Sequence, residues 1–183
     1  MQRKYLAIDL RGYPSELFET VCQVTPVENF SPGKGINGVE VAAPHQLKML
    51  PRADVVFARG GTARKNRIFL RSKKVDVLAC PYPFDSVQAR LAAENSIALE
   101  LSFREIRCTA GYMRARILDR LRTTILLAKK YHARLIITSG ACCEEAVVSP
   151  RQLVAFGKVV GLTYPEAKAS LYTIPKRVVE GVE

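Results

Sequence analysis

The segment VDVLACPYPFDSVQARLAAENSIALELSF, Val75 to Phe103, decides the fold class. It opens on a nearly unbroken apolar run, VDVLACP (75–81), turns through two prolines, and continues into SVQARLAAEN (86–95), a stretch of helix formers with Ser86, after Asp85, as its N-cap candidate. A second apolar run, SIALELSF (96–103), follows at once. Runs apolar at every position, rather than at alternate ones, belong to strands covered on both faces, which is the condition of a parallel sheet.

The same switch recurs outward from this segment. Further strand candidates are YLAIDL (5–10), GVEVAA (38–43) and ADVVFARG (53–60) on the N-terminal side, and RLIITSGA (134–141) on the C-terminal side. Between and after them lie helical segments: 44–50, 64–71, the long 112–132, then 150–160 and 165–179. Ser149 before Pro150 marks a helix start, with proline at the first helical position, and Gly161 marks the stop of QLVAFGKVV. In the long segment Ile117, Leu118, Leu121, Ile125 and Ala128 share one face, with Arg116, Arg120 and Lys130 opposite, so that helix lies on the sheet and shows cations to solvent. Alternating strand and helix of this kind predicts an α/β fold of about six to seven mainly parallel strands, as an open sheet or a barrel. Residues 21–37 are the least regular part, and Thr20 to Thr25 reads either as an additional strand or as the end of a short helix from Ser15. At 183 residues and 48% hydrophobic content, one domain over 1–183 is expected.

Charge narrows the partners. Lys and Arg number 28 against 17 Asp and Glu, a formal net charge of +11, and a field of that sign gathers polyanions. The charge is concentrated: ARGGTARKNRIFLRSKK (58–74) carries seven cations, and the 21 residues between Asp54 and Asp76 hold no acid. Arg64, Arg67, Arg71 and Lys74 fall within a narrow helical arc. Arg59 lies past the third of the named strands, Arg104 past the fifth, and Arg107, Arg114 and Arg116 continue into the long helix; in a parallel sheet the loops carrying Arg59 and Arg104 share the C-terminal edge. Together with Lys65, these residues form the candidate RNA- or partner-binding surface. No apolar run reaches the ~18–20 residues of a spanning helix, and MQRKYLAIDLRGYP breaks its apolar run at Asp9 and Arg11, so a soluble cytoplasmic protein without a signal peptide is expected.

Catalytic patterns are sparse. Two histidines, His45 and His132, are too few for a His-rich multinuclear metal site, and neither H-x-H nor H-E-x-x-H occurs. Five cysteines, at 22, 80, 108, 142 and 143, lack C-x-x-C spacing and read as thiols of a reducing compartment. Asp9 ends the first of the named strands, Asp85 follows the fourth in PYPFD and Glu100 lies within the fifth, and strand ends are where barrel enzymes collect catalytic groups, but none has a partner at informative spacing, and Glu100 is suited to pairing with a buried arginine. GGTARK resembles a phosphate loop only loosely. Without tryptophan or an RNP-like aromatic pattern, recognition of a folded RNA by its backbone is expected over stacking on single-stranded bases.

From about Asn37 to Val179 the chain resembles the third protein component of archaeal ribonuclease P. The resemblance is carried by GVEVAA, the N-R pair at Asn66 and Arg67, VDVLACP, ALELSFREI, YMRARIL, LAKKY, LIITSGA, SPRQLVAFGKVVGL and PEAKASLYTIP, in that order. It implies an incomplete or irregular TIM-barrel-like fold related to the polymerase and histidinol phosphatase superfamily. It also implies a subunit supporting 5′ maturation of precursor tRNA in an endoribonuclease whose RNA is the catalyst. The implied partners are the ribonuclease P RNA, precursor tRNA, a small RRM-like subunit in a two-plus-two heterotetramer, and other ribonuclease P proteins. No cofactor, metal or catalytic residue is expected on the chain, Mg²⁺ being held by the RNA. Arg67, Arg104 and Arg114 fall where the family places basic residues. The chain departs from its relatives at Gly140, Ala141 and Cys142, where an acidic or histidine-containing turn is frequent, and in the short segment between Pro14 and Gly38. The alternative is a metal-dependent phosphoesterase on the same superfamily barrel.

Overall fold

A computed structural model describes residues 6–181. Seven strands, β1 (Ile8–Asp9), β2 (Thr20–Pro26), β3 (Ile36–Val41), β4 (Val55–Arg59), β5 (Val77–Ala79), β6 (Ala98–Ser102) and β7 (Leu135–Thr138), form one sheet in sequence order. Every neighbouring pair is parallel, with registers such as Gly38 opposite Val55 and Leu99 opposite Leu135. Parallel neighbours require crossovers. From β4 onward these are helical: α1 (Ala63–Leu70), α2 (Ser86–Glu94), then α3 (Phe103–Arg107) with α4 (Gly111–Tyr131). After β7 come α5 (Pro150–Val160), α6 (Tyr164–Ala169) and α7 (Thr173–Glu180). The predicted parallel α/β barrel is therefore present, with six of its strands where the apolar runs placed them. The seventh is β2, which resolves Thr20–Thr25 as strand, as the β-branched residues Thr20, Val21, Val24 and Thr25 favour. Tyr5, the first residue of the YLAIDL run, lies outside the described residues.

The first three strands carry no α-helix between them, only 3-10 turns at Val27–Asn29 and, after β3, Pro44–Lys48. Of residues 44–50, read as helical, Pro44–Lys48 thus take the tighter form. The sequence-based expectation also passed over α3, which turns the chain immediately beyond β6.

The barrel's seam, between β7 and β1, is bridged rather than paired. The N–H of Ile8 donates to the carbonyl of Leu171 (2.7 Å) and that of Ile137 to the carbonyl of Ser170 (3.0 Å), so the chain between α6 and α7 lies in the gap. This explains why 165–179 is not the single helix expected. In a continuous helix the carbonyl of Leu171 would accept from residue 175, but Pro175 has no N–H. The helix breaks, and the freed carbonyl satisfies Ile8 instead.

Alternation along the strands separates two apolar layers. Ala58, Leu78, Leu99, Leu101 and Ile137 face outward onto the helices, against Leu121, Ile125, Leu153 and Phe156. Val55, Phe57, Val77, Ala98 and Ile136 face inward, and Val178 of α7 packs against this interior set.

Candidate nucleic-acid interface

The inward positions near the C-terminal end of the barrel are polar. Glu40 of β3, Glu100 of β6 and Thr138 of β7 face inward there, and Arg11, two residues past β1, reaches across to them. Its Nη2 donates to Glu40 Oε1 at 2.8 Å, and its Nε lies 3.1 Å from Glu100 Oε1, an ion-pair distance without hydrogen-bond alignment. The guanidinium carbon sits 4.5 Å from the centre of the Phe57 ring. Thr138 donates to Glu100 at 2.7 Å. The run IALEL called for an arginine partner, and Arg11, partly buried, supplies it.

Protonation follows from the surroundings. Burial works against the Arg11 charge, but Glu100 and Glu40 outweigh it and hold the guanidinium protonated. Burial raises the Glu100 carboxyl above its usual range in spite of Arg11. Asp9, also buried, is pushed up to about 7 by desolvation, although its Oδ1 accepts from the N–H groups of Arg11 (3.2 Å) and Ser139 (3.1 Å). Just past β5, Cys80 Sγ donates to Glu105 at 2.8 Å and the Tyr82 hydroxyl to the same carboxylate at 3.3 Å; burial first, then Glu105, keeps both groups neutral. Among the described residues, no cluster of three or more His, Cys, Asp or Glu is arranged to hold a metal ion. The carboxylates of the mouth face an arginine.

The predicted cations divide between the two edges of the barrel. Arg59 ends β4 and Arg64 stands in the first turn of α1, both exposed; Arg104 and Arg107 lie on α3 beyond β6, and Arg114 and Arg116 in the first two turns of α4. These belong to the C-terminal edge, as the parallel sheet predicted. Arg104 is set in place by Gly140 (φ +63°), where a Cβ would come within 2.5 Å of the Arg104 Cβ. Arg107 donates to the carbonyl of Ala146, Arg114 to that of Thr109 (2.7 Å), and Lys65 to that of Gly60 (3.2 Å). None of these cations is in an ion pair among the described residues; Arg59, Arg64, Arg104, Arg114 and Arg116 are exposed, whereas Lys65 and Arg107 are half-buried on their carbonyl partners.

The continuous stripe expected along α1 does not form. The helix ends at Leu70, so Arg71 caps it and Lys74 lies beyond it, donating to the carbonyl of Leu47 at 2.9 Å. Both sit at the opposite edge, about 12 Å away by the rise of an eight-residue helix. Arg67 is paired with Asp85 at 2.7 Å, both side chains 39% exposed; Asp85, which is the observed N-cap of α2, is held below its usual range because the Gln88 N–H and Arg67 outweigh its desolvation.

Beside Arg67, Asn66 is fully buried and joins two loops. Its Oδ1 accepts from the Gly61 N–H (3.1 Å), while its Nδ2 donates to the carbonyls of Pro81 (2.8 Å) and Pro83 (3.3 Å) and to Gln88 Oε1 (2.8 Å). The N-R pair thus clamps the β4–α1 loop to the β5–α2 loop. Between those loops and α4 opens a cleft of about 500 Å³, lined by Gly61, Tyr82, Pro83, Phe84, Arg116, Asp119, Arg120 and Thr123. Arg120, whose guanidinium lies 5.5 Å from the centre of the Tyr82 ring, was absent from the predicted set. Its position one turn after Arg116 on the solvent face of α4 was the available signal.

The family model for RNase P subunit p30 matches residues 37–183. The chain belongs to the RNase P subunit p30 family. Among curated relatives, the ribonuclease P protein component 3 of Methanosarcina mazei is 32% identical, covering 96% of this chain and 77% of its own length, and that of Methanosarcina barkeri is 31% identical with the same coverage. A chain of the cryo-EM structure of archaeal ribonuclease P with mature tRNA superposes with a TM-score of 0.81 over 95% of this chain and 90% of its own, at 21% identity. An A. niger ochratoxinase superposes with a TM-score of 0.59 at 12% identity, over 79% of this chain and 39% of its own, a likeness of barrel fold alone. The p30 family assignment agrees with the resemblance drawn from the sequence and extends it to the last residue.

Proposed function

We propose that this p30-family chain is a non-catalytic protein subunit of ribonuclease P that binds RNA along the C-terminal edge of its barrel and stimulates cleavage of precursor tRNA by the catalytic RNA. The observation that carries this is the family match over residues 37–183, joined to relatives named as ribonuclease P components across 96% of the chain. The cationic edge supplies the physics: Arg59, Arg64, Arg104 and Arg116 neutralise phosphates and release counterions, relieving the repulsion that opposes compact RNA folding. Arg11 supports the non-catalytic part. Its guanidinium already neutralises Glu40 and Glu100 at the end of the barrel where related folds hold their reactive groups. Divalent cations for the reaction then belong to the RNA.

In this reading the small RRM-like subunit joins the chain as a two-plus-two assembly, and the remaining cations meet protein or RNA in the holoenzyme. No helix of the described residues is long and apolar enough to cross a membrane, and a cytoplasmic ribonucleoprotein is the setting proposed. The test is reconstitution: ribonuclease P RNA and the small subunit with and without this chain, scored by 5′ cleavage of precursor tRNA, beside a phosphoesterase assay of the chain alone with added Mn²⁺ or Zn²⁺. Stimulated cleavage with no turnover by the isolated chain is expected. Metal-dependent turnover without RNA would select the phosphoesterase instead.

A further inference from the structure

The cleft at the C-terminal edge has features that a cationic surface alone does not require. Its volume of about 500 Å³ falls within the ~300–1,000 Å³ of small-ligand sites. Two of its walls are fixed to each other before anything binds, because one buried side chain, Asn66, bonds the Gly61 N–H on one wall and the Pro81 and Pro83 carbonyls on the other. Gln88 adds a second bond to Pro83 (3.0 Å), and the Arg67–Asp85 pair braces the same loops. Preorganisation of this kind lowers the entropy lost on binding.

The lining is chemically mixed in a specific way. Tyr82 and Phe84 give aromatic surface, Arg116 and Arg120 give two cations, and Asp119 between them on α4 gives one acid. A duplex lays phosphates on a surface and has no use for an aromatic floor or a carboxylate among the cations. An unpaired nucleotide has use for all three: its base stacks on an aromatic ring, its phosphate meets an arginine, and its exocyclic amine or ribose hydroxyl donates to a carboxylate. The Arg120 guanidinium now stands 5.5 Å from the Tyr82 ring centre, too close to admit a base between them. Entry of a base onto that ring therefore moves Arg120 aside, where it joins Arg116 on the phosphate.

We propose that this cleft receives a single unpaired nucleotide of an RNA strand, its base on Tyr82 and its phosphate between Arg116 and Arg120. The proposal rests on the RNA-binding function above and departs from the expectation, drawn from the absence of tryptophan and of an RNP-like pattern, that recognition by the backbone is favoured over stacking on single-stranded bases.

The test measures binding of the full chain to two labelled probes, a short single-stranded RNA and an RNA hairpin with the same number of phosphates and a closed loop. The variants are Arg120→Gln, which removes a cation, and Thr123→Trp, which fills the cleft from an exposed position without changing charge. Both should weaken single-strand binding about tenfold, Thr123→Trp through the lost stacked base and Arg120→Gln through the lost phosphate contact, and leave hairpin binding within twofold of wild type. Equal losses on both probes, or no loss on the single strand, would overturn the cleft proposal while leaving the wider RNA-binding function standing. A wild-type chain that binds neither probe would overturn both.

Discussion

The guanidinium of Arg11 lies 3.1 Å from Glu100 and joins the end of β1 to β6 across the mouth of the barrel. Glu100 is only 2% exposed, so its charge depends on this partner. Removing Arg11, itself partly exposed, leaves the buried Glu100 uncompensated, which costs more than the pair itself contributes. Arg11→Met should destabilise the chain by about 3 kcal/mol in urea denaturation, and adding Glu100→Gln should recover much of that loss. A double variant as unstable as the single one would show that the pair is not what holds the mouth.

Asp9 gives the mouth a pH dependence. Its folded pKa is raised to about 7, above the ordinary carboxylate value that the unfolded chain has. At low pH both states hold the proton; as pH rises through the unfolded value the unfolded chain loses it first, so stability falls until the folded carboxyl also ionises near 7, and then levels. Asp9→Asn keeps the oxygen that accepts from Arg11 and Ser139 and has no proton to lose. Its stability relative to wild type should rise between about pH 4 and 7 and stay constant above. A difference that does not change with pH in that window would contradict the assignment.

Asn66 tests the clamp. Alanine there removes a buried side chain that bonds the Gly61 N–H and two proline carbonyls, a loss of about 1–3 kcal/mol. Amide exchange should quicken at Gly61, Tyr82 and Phe84 ahead of the strands. Exchange accelerated only globally would mean that Asn66 contributes stability without shaping the loops.

The division of cations between edges predicts a division of effects. Arg59→Ala and Arg64→Ala should each lower the salt slope of binding to ribonuclease P RNA by about one unit and leave the melting temperature unchanged, since both side chains are exposed and outside ion pairs. Arg71→Ala and Lys74→Ala, at the other edge, should leave the slope as it is. Equal slope changes from both edges would place RNA around the whole barrel.

Which of these features could be read from sequence depends on how local their causes are. Val75–Phe103 was legible because covered strands and a capped helix write their pattern in consecutive residues, and Glu100 announced a buried cation because a carboxylate inside IALEL has few other options. Arg11 had no such signal: it follows a two-residue strand and finds its partners 29 and 89 positions away. The break between α6 and α7 is half local, in Pro175, and half tertiary, in the vacant seam that Leu171 fills. Lys74 was drawn onto a helical stripe by spacing alone, and the helix stops before reaching it. The basic edge was visible as charge, whereas the cleft within it depends on two loops meeting α4 and left only Arg116 and Arg120, one turn apart, as a trace.

In the function proposed above, cations gathered at one end of the barrel act on RNA while the chain breaks no bond. The most direct measurement is precursor tRNA cleavage by the reconstituted ribonucleoprotein carrying a triple variant, Arg59→Ala, Arg64→Ala and Arg104→Ala, whose fold is verified by circular dichroism. Stimulation should be lost at moderate salt and return as ionic strength is lowered or the chain is added in excess. Full stimulation by the folded triple variant across all salt concentrations would contradict it.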